Sequence, residues 1–124
     1  MNQLKQIETA LIQDNVAWQE FRPETEGEKP VREYIFNPQM ALQGWVQITS
    51  FDPLVEYSRT TYQLKRSKKD EPVLRIRNEE FDLELVVISL THERIEATLT
   101  GETLVVLAAR STLEGASYPF SEGE

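Results

Sequence analysis

The stretch FDLELVVISLTHERIEATLTGETLVVLAAR, residues 81–110, decides the fold. Phe81–Leu90 and Arg94–Thr100 place apolar residues at every second position, which is the period of a β-strand with one buried face. Gly101-Glu102 then forms a candidate two-residue hairpin with glycine first, as a type II′ turn requires, and Thr103–Arg110 returns as another strand. Connections this short join antiparallel strands and are too short for parallel crossovers. These residues therefore predict an antiparallel sheet.

Five further strand candidates precede this stretch. They are Val16–Phe21, Val31–Phe36, Met40–Thr49, Val55–Leu64 and Val73–Arg77. Asn37-Pro38 is expected to end the second of them, because proline disfavours continuation of a sheet. Gly44 lies inside an otherwise alternating segment, which indicates a bulge or a close approach of two backbones. Arg22–Pro30 holds two prolines and a glycine and is predicted to be a loop.

The N-terminal segment has a helical period instead. Asn2–Asn15 carries Leu4, Ile7 and Leu11 at steps of three and four, and its other face is rich in Lys, Gln and Glu. We expect this helix to end near Asn15, because asparagine tolerates the left-handed position after a helix. The sequence thus predicts an α+β fold: an N-terminal amphipathic helix packed on an antiparallel, curved or partly closed β-meander of six to seven strands. Residues 1–124 are expected to form a single domain, with 111–124 as a candidate flexible tail.

Composition excludes several kinds of site. The 124 residues include no cysteine, which excludes disulfides, thiolate metal sites and cysteine nucleophiles and fits a reducing compartment. The first residues lack the apolar run of a secretory signal, and no apolar stretch is long enough to cross a membrane. We therefore expect a soluble, cytoplasmic protein that does not associate with membranes.

The sequence holds few residues and motifs suited to catalysis. His92 is the one histidine, which is too few for a histidine zinc site, and it falls in a predicted turn. No G-x-S-x-G motif activates a serine, and no glycine-rich phosphate loop is present. The sequence predicts no catalytic, cofactor-binding or metal-binding residues, no cofactor, and a protein that is not an enzyme.

Charge is distributed unevenly along an acidic chain with a formal net charge of −8. Residues 63–78 carry six basic and two acidic groups, whereas residues 79–124 carry two basic and ten acidic groups. This basic hairpin either protects a sheet edge or contacts an anionic group, an acidic protein or a second copy of the chain. Nucleic acid is not an expected partner, because the chain is acidic and no aromatic residue interleaves with the basic hairpin.

Two other features are candidates for binding. Glu80, Asp82 and Glu84 would share one strand face, which is a solvated face, a protein-binding face or a site for a divalent cation. Trp45 falls on the polar face of its strand, where it either packs at the rim of the core or contacts a partner.

Together these features favour a non-enzymatic, small, acidic protein-binding module of the adaptor, inhibitor, chaperone or toxin-neutralising type. Its expected partner is a protein, with a basic protein or a second copy of the chain as the candidates. The candidate partner-binding residues are Trp45, Lys65, Arg66, Lys68, Lys69, Glu80, Asp82 and Glu84. One alternative is a carrier of a small apolar ligand, with a pocket between the helix and a curved sheet. A second is an enzyme that depends on carboxylates or a divalent metal.

Overall fold

Each strand of the protein pairs with the next one along the chain, and the last strand pairs with the first. The structure is a computed structural model, and it describes residues 3–25, 27–51, 53–80, 82–99 and 102–112. Its elements are α1 (Gln3–Leu11), β1 (Val16–Phe21), β2 (Pro30–Met40), β3 (Gln43–Ser50), β4 (Val55–Arg66), β5 (Pro72–Arg77), β6 (Asp82–Leu90), β7 (Arg94–Leu99) and β8 (Thr103–Ser111). All pairings are antiparallel, so the eight strands form a closed up-and-down barrel.

The predicted α+β meander of six to seven strands is therefore wrong, although its antiparallel pairing is confirmed. The protein is mainly β, with a single short helix of nine residues among those described. Closure results from an uninterrupted ladder between β1 and β8, which runs from Val16 opposite Ser111 to Phe21 opposite Val106. The expected six to seven strands fall short of the eight observed. In β1 the four central residues, from Ala17 to Glu20, are all buried, so this strand lacks an alternating burial pattern.

The boundary predicted at Asn37-Pro38 is also wrong. β2 continues through Pro38 to Met40, and the chain turns at Ala41 and Leu42, where Leu42 has a φ of 65°. The ladder between β2 and β3 accommodates the proline by a register shift between Pro38 and Met40. The close approach expected at Gly44 is confirmed, because a Cβ there would lie 2.2 Å from the carbonyl oxygen of Asn37.

Large side chains occupy the barrel interior. An eight-stranded barrel encloses a space that side chains can fill. Trp18, Tyr34 and Tyr62 are the largest fully buried side chains. Phe36 stacks on Tyr34 with ring centroids 6.0 Å apart and meets Tyr62 edge to face at 5.2 Å. Aliphatic residues from the other strands complete the core, among them Ile48, Leu74, Ile76, Leu85, Ile95 and Leu107.

The helix covers one end of the barrel. Its apolar residues Leu4, Ile7 and Leu11 join the core, and the carbonyl oxygen of Leu11 accepts a hydrogen bond from Trp18 Nε1 at 3.3 Å. Beyond the helix, Gln13 Nε2 donates to the carbonyl oxygen of His92 in the β6–β7 turn at 2.9 Å. We call this the helix end; the opposite end, where β1 leads into β2 and β3 into β4, is the far end.

Two details of the helix differ from the prediction. It ends at Leu11, before Asn15, although Asn15 does adopt a left-handed φ of 59°. Glu8, expected on the solvated face, is only 3% exposed, and its Oε2 accepts hydrogen bonds from the backbone N–H of Leu42 at 3.0 Å and from the Tyr62 hydroxyl at 3.2 Å. Helical spacing identifies an apolar stripe but does not reveal that one acid within the polar face has buried partners.

Three sequence predictions fall at least partly outside the described residues: the face of Phe81, the Gly101-Glu102 turn at Gly101, and the candidate tail 111–124 from residue 113 onward. Ser111 itself is the last residue of β8, where it pairs with Val16. Within the part of the chain that the structure describes, no helix has the length and apolar character needed to cross a membrane.

Candidate functional site: the Trp45 groove

Trp45 lies on the outer surface of the barrel, as the alternation of its strand predicts. Its side chain is 49% exposed, and that of Met40, at the end of β2, is 62% exposed. Both line a groove of about 440 Å³ whose other wall is built by β4 and β5. We define the Trp45 groove by its outward-facing residues Met40, Trp45, Thr61, Gln63, Arg75 and Arg77.

The register of three strands assembles this groove. Trp45 of β3 lies opposite Thr61 of β4, which lies opposite Arg77 of β5. The neighbouring row pairs Gln63 with Arg75. Directly opposed side chains on one face of a sheet are within contact distance. The pairing therefore brings an exposed aromatic ring beside the basic hairpin, although no aromatic residue lies inside that hairpin in the sequence.

Gly44 allows the groove to form where it does. Its missing Cβ would lie 2.2 Å from the oxygen of Asn37 and 2.8 Å from the nitrogen of Gln39. Real Cβ atoms do not approach backbone this closely, so only glycine permits the end of β2 to lie against β3 here. Met40, at the end of β2, thereby lines the same groove as Trp45.

The basic hairpin and the acidic run are partners of each other. Arg75 donates to Asp82 through Nε at 3.0 Å and Nη2 at 2.6 Å, and its Nε lies 3.7 Å from Glu84. Lys65 Nζ lies 3.2 Å from the same Glu84. The bidentate hydrogen bond from Arg75 holds the pKa of Asp82 below its ordinary value and raises that of Arg75. Because these side chains are exposed, each pair adds little to stability.

The remaining candidates lie elsewhere. Arg66 donates to the carbonyl oxygen of Asp70 at 3.1 Å within the β4–β5 turn, where Lys68 and Lys69 are exposed. That turn lies at the helix end of the barrel, whereas the exposed Glu80 lies in the β5–β6 turn at the far end. The eight candidate residues therefore do not form one surface: the structure groups Lys65, Asp82 and Glu84 in a row of ion pairs and leaves Trp45 in the groove.

Sequence reasoning did not single out the two arginines beside Trp45. Arg77 lines the groove, and Arg59 lines an adjoining depression that also contacts Trp45. Among the described residues, neither exposed guanidinium has an ion-pair partner within 4.0 Å. Arg59 has a φ of 59°, which is uncommon for a residue with a side chain, at the register shift between β3 and β4. Alternation around Arg59 gives no signal for such a bulge.

The side chains considered as candidate catalytic groups are His92, Asp82 and Glu84. His92 is exposed in the β6–β7 turn, with its Nε2 3.2 Å from Glu93. Asp82 and Glu84 face arginine and lysine rather than one another. Among the described residues, no group of three or more His, Asp or Glu side chains could hold a metal ion.

Comparison with known proteins adds no functional information. No protein-family model matches the chain, and neither the curated proteins nor the solved structures give a significant match.

Proposed function

We propose that this chain is a non-enzymatic protein-binding module that docks its partner on the Trp45 groove. The observation that carries the proposal is the composition of that groove: the exposed side chains of Trp45 and Met40 line it together with Arg77. Tryptophan, methionine and arginine are enriched at protein interfaces, and tryptophan and arginine also at the few positions that dominate binding energy. The cysteine-free composition supports a cytoplasmic setting for this interaction.

The chemistry of the groove favours a partner segment that combines an apolar side chain with a carboxylate. The apolar side chain packs on Trp45 and Met40, and the carboxylate faces Arg59 and Arg77. The net charge of −8 repels acidic partners at long range, but salt at physiological strength screens charges beyond about 8 Å. At contact distance the local charges matter more. Arg75 and Arg77 line the groove itself, and its described lining holds no carboxylate, although Glu56 shares the adjoining depression with Arg59. The groove therefore favours an acidic segment over the basic one suggested by net charge.

Two observations weigh against the alternatives. An apolar-ligand carrier needs interior space, and the interior here holds Trp18, Tyr34 and Tyr62 at 1% exposure or less. A carboxylate-dependent enzyme needs acidic groups that are available to substrate, whereas Asp82 and Glu84 are engaged by Arg75 and Lys65.

The decisive experiment is native mass spectrometry of the full chain purified gently, at low salt, from its own cells. Trp45→Ala and Arg77→Gln test the groove, and Ile88→Ala is the matched control because Ile88 is 59% exposed on β6, outside the groove. We expect the wild type and the control to retain the same protein-sized additional mass. Trp45→Ala should weaken the complex by about thirtyfold or more, since truncating a tryptophan at a binding hot spot costs about 2 kcal/mol or more. Arg77→Gln should weaken it and reduce its salt dependence.

Three outcomes contradict the proposal. In the first, Trp45→Ala retains the partner as well as Ile88→Ala does. In the second, the wild type carries no additional protein mass under any gentle condition. In the third, the additional mass is a second copy of the chain, which would make the groove a homodimer interface.

A further inference from the structure

A second depression lies at the far end of the barrel, away from the Trp45 groove. It measures about 520 Å³ and is lined by three cationic side chains, Arg22, Lys29 and Arg32. No described carboxylate lines it. Since the chain as a whole is strongly acidic, this local composition is opposite in sign to the average surface.

A buried carboxylate fixes two of these cations. Glu20 of β1 is 1% exposed, and its oxygens accept hydrogen bonds from Arg22 Nε at 2.7 Å and Arg32 Nη1 at 3.4 Å. The Tyr34 hydroxyl donates to the same carboxylate, and burial together with the charge of Glu20 raises the pKa of Tyr34 well above its ordinary value. A buried charge requires such partners, so Glu20 positions both guanidinium groups at the barrel end.

Lys29 adds a positive charge at the rim of the depression, which it lines together with Arg22. Arg22 uses only its Nε towards Glu20, so its terminal amino groups remain available for another acceptor. Within the described chain, Lys29 has no ion-pair partner. The Arg22 side chain is only 23% exposed, so water hydrates its guanidinium group incompletely.

The other walls of the depression are apolar. Val31, Phe51 and Val55 line it beside the cations, and Tyr57 lies at its inner side. Arginine presents a planar fork that matches a carboxylate or phosphate, while the apolar wall suits a hydrocarbon or aromatic body. Ends of β-barrels are common positions for sites that combine apolar walls with a few charged groups.

We propose that this depression, which we call the mouth site, binds a small organic anion with a compact apolar body. Arg22 and Lys29 contact the anionic group, Arg32 supports it from within, and Val31, Phe51 and Val55 contact the apolar body. The mouth site shares no residue with the Trp45 groove. It therefore stands independently of the proposed protein partner.

Titration of the isotope-labelled full chain with benzoate, followed by two-dimensional NMR, tests the mouth site. Acetate carries the charge without the apolar body, and benzamide carries the body without the charge. We expect benzoate to give saturable shifts at the backbone amides of Val31, Arg32, Ser50 and Phe51. Acetate should bind more weakly, and benzamide should give no saturable shifts there.

Variants assign the contacts. Lys29→Gln should weaken benzoate binding about threefold, as expected for an exposed ion pair, and Arg22→Gln about tenfold, as expected for a partly buried one. Lys68→Gln makes the same charge change at the helix end and should leave affinity unchanged within about twofold. Because Arg22→Gln removes a partner of Glu20, Arg22→Lys accompanies it; it retains the charge and should recover part of the affinity if the fold persists.

The proposal is overturned if benzoate shifts spread over the surface without saturation or if benzamide matches benzoate. It is equally overturned if Lys29→Gln and Lys68→Gln have the same effect, because binding would then reflect net charge alone.

Discussion

Gly44 shows how one missing side chain shapes both the barrel and its surface. The residue is buried between the ends of β2 and β3, where the backbone of Asn37 and Gln39 occupies the volume of a Cβ. Met40 and Trp45, on either side of this approach, line the same groove. Stability and the shape of the groove therefore depend on the same residue.

Gly44→Ala should destabilise the protein by about 1–3 kcal/mol, because backbone atoms, unlike a flexible side chain, cannot move aside cheaply. Urea unfolding followed by tryptophan fluorescence measures the change. Gly27→Asn is the matched control: Gly27 has a φ of 68° with no atom within 4 Å of its Cβ position, and asparagine tolerates that conformation. Its effect should stay below about 1 kcal/mol. Equal stability of wild type and Gly44→Ala would refute the close approach.

At the scale of the element, α1 is fixed to the barrel by a polar contact as well as by its apolar stripe. Glu8 is the only described acceptor for the Leu42 N–H, in a turn with a φ of 65°, and it also accepts from Tyr62. Burial and the carboxylate of Glu8 together raise the pKa of Tyr62 above its ordinary value. One side chain thus joins the helix, the β2–β3 turn and β4.

Glu8→Ala should lower the free energy of unfolding by about 2 kcal/mol or more, because it leaves two buried donors without an acceptor. Combining it with Tyr62→Phe should cost less than the sum of the single changes, by about 0.5–3 kcal/mol, since the second change removes one of those donors. Chemical denaturation of both single variants and the double variant measures this coupling. Gln6→Ala, on the exposed face of α1, should change stability by less than about 0.5 kcal/mol. Strict additivity would contradict the contact.

The elements also show what the sequence could predict. The predicted strands match β1 in its exact residues and β5 to within one, because strand-forming composition and flanking turn residues are local properties of the sequence. Alternation does not state which strand lies beside which, so the pairing of β1 with β8 was not foreseen. The strand end predicted at Pro38 is wrong for a related reason. The β2–β3 ladder accommodates Pro38 by a register shift, and that shift depends on β3.

The candidate site followed the same rule. The outward position of Trp45 was predictable from Gln43 and Gln47 on either side of it. Its proximity to Arg77 requires the register of three strands, and Arg59 belongs to a bulge without a sequence signal. The face that a residue takes within its own strand could be predicted from the sequence. Which residues of different strands lie close together could be known only from the fold.

At the scale of the whole molecule, closure changes what the charged residues must do. An open sheet needs charges along its edges to prevent aggregation, and that was one interpretation of the basic hairpin. Here β4 and β5 lie inside the closed ring, between β3 and β6. Edge protection is therefore not required of Arg75 and Arg77, of which Arg75 pairs with Asp82 and Arg77 remains available in the groove.

Closure also predicts how the molecule opens. A barrel with no edge offers no terminal strand that can separate alone, so the backbone amides bonded across the β1–β8 seam should exchange their hydrogens only when the whole barrel unfolds. Native-state hydrogen exchange at increasing denaturant should give these amides the same opening free energy, within about 1 kcal/mol, as the amides bonded between β3 and β4. The β3–β4 ladder is the internal control, because other strands separate it from the β1–β8 seam on both sides. If the seam amides exchanged through an opening several kcal/mol cheaper, β1 and β8 would separate locally before the rest of the barrel unfolds, which would contradict the prediction.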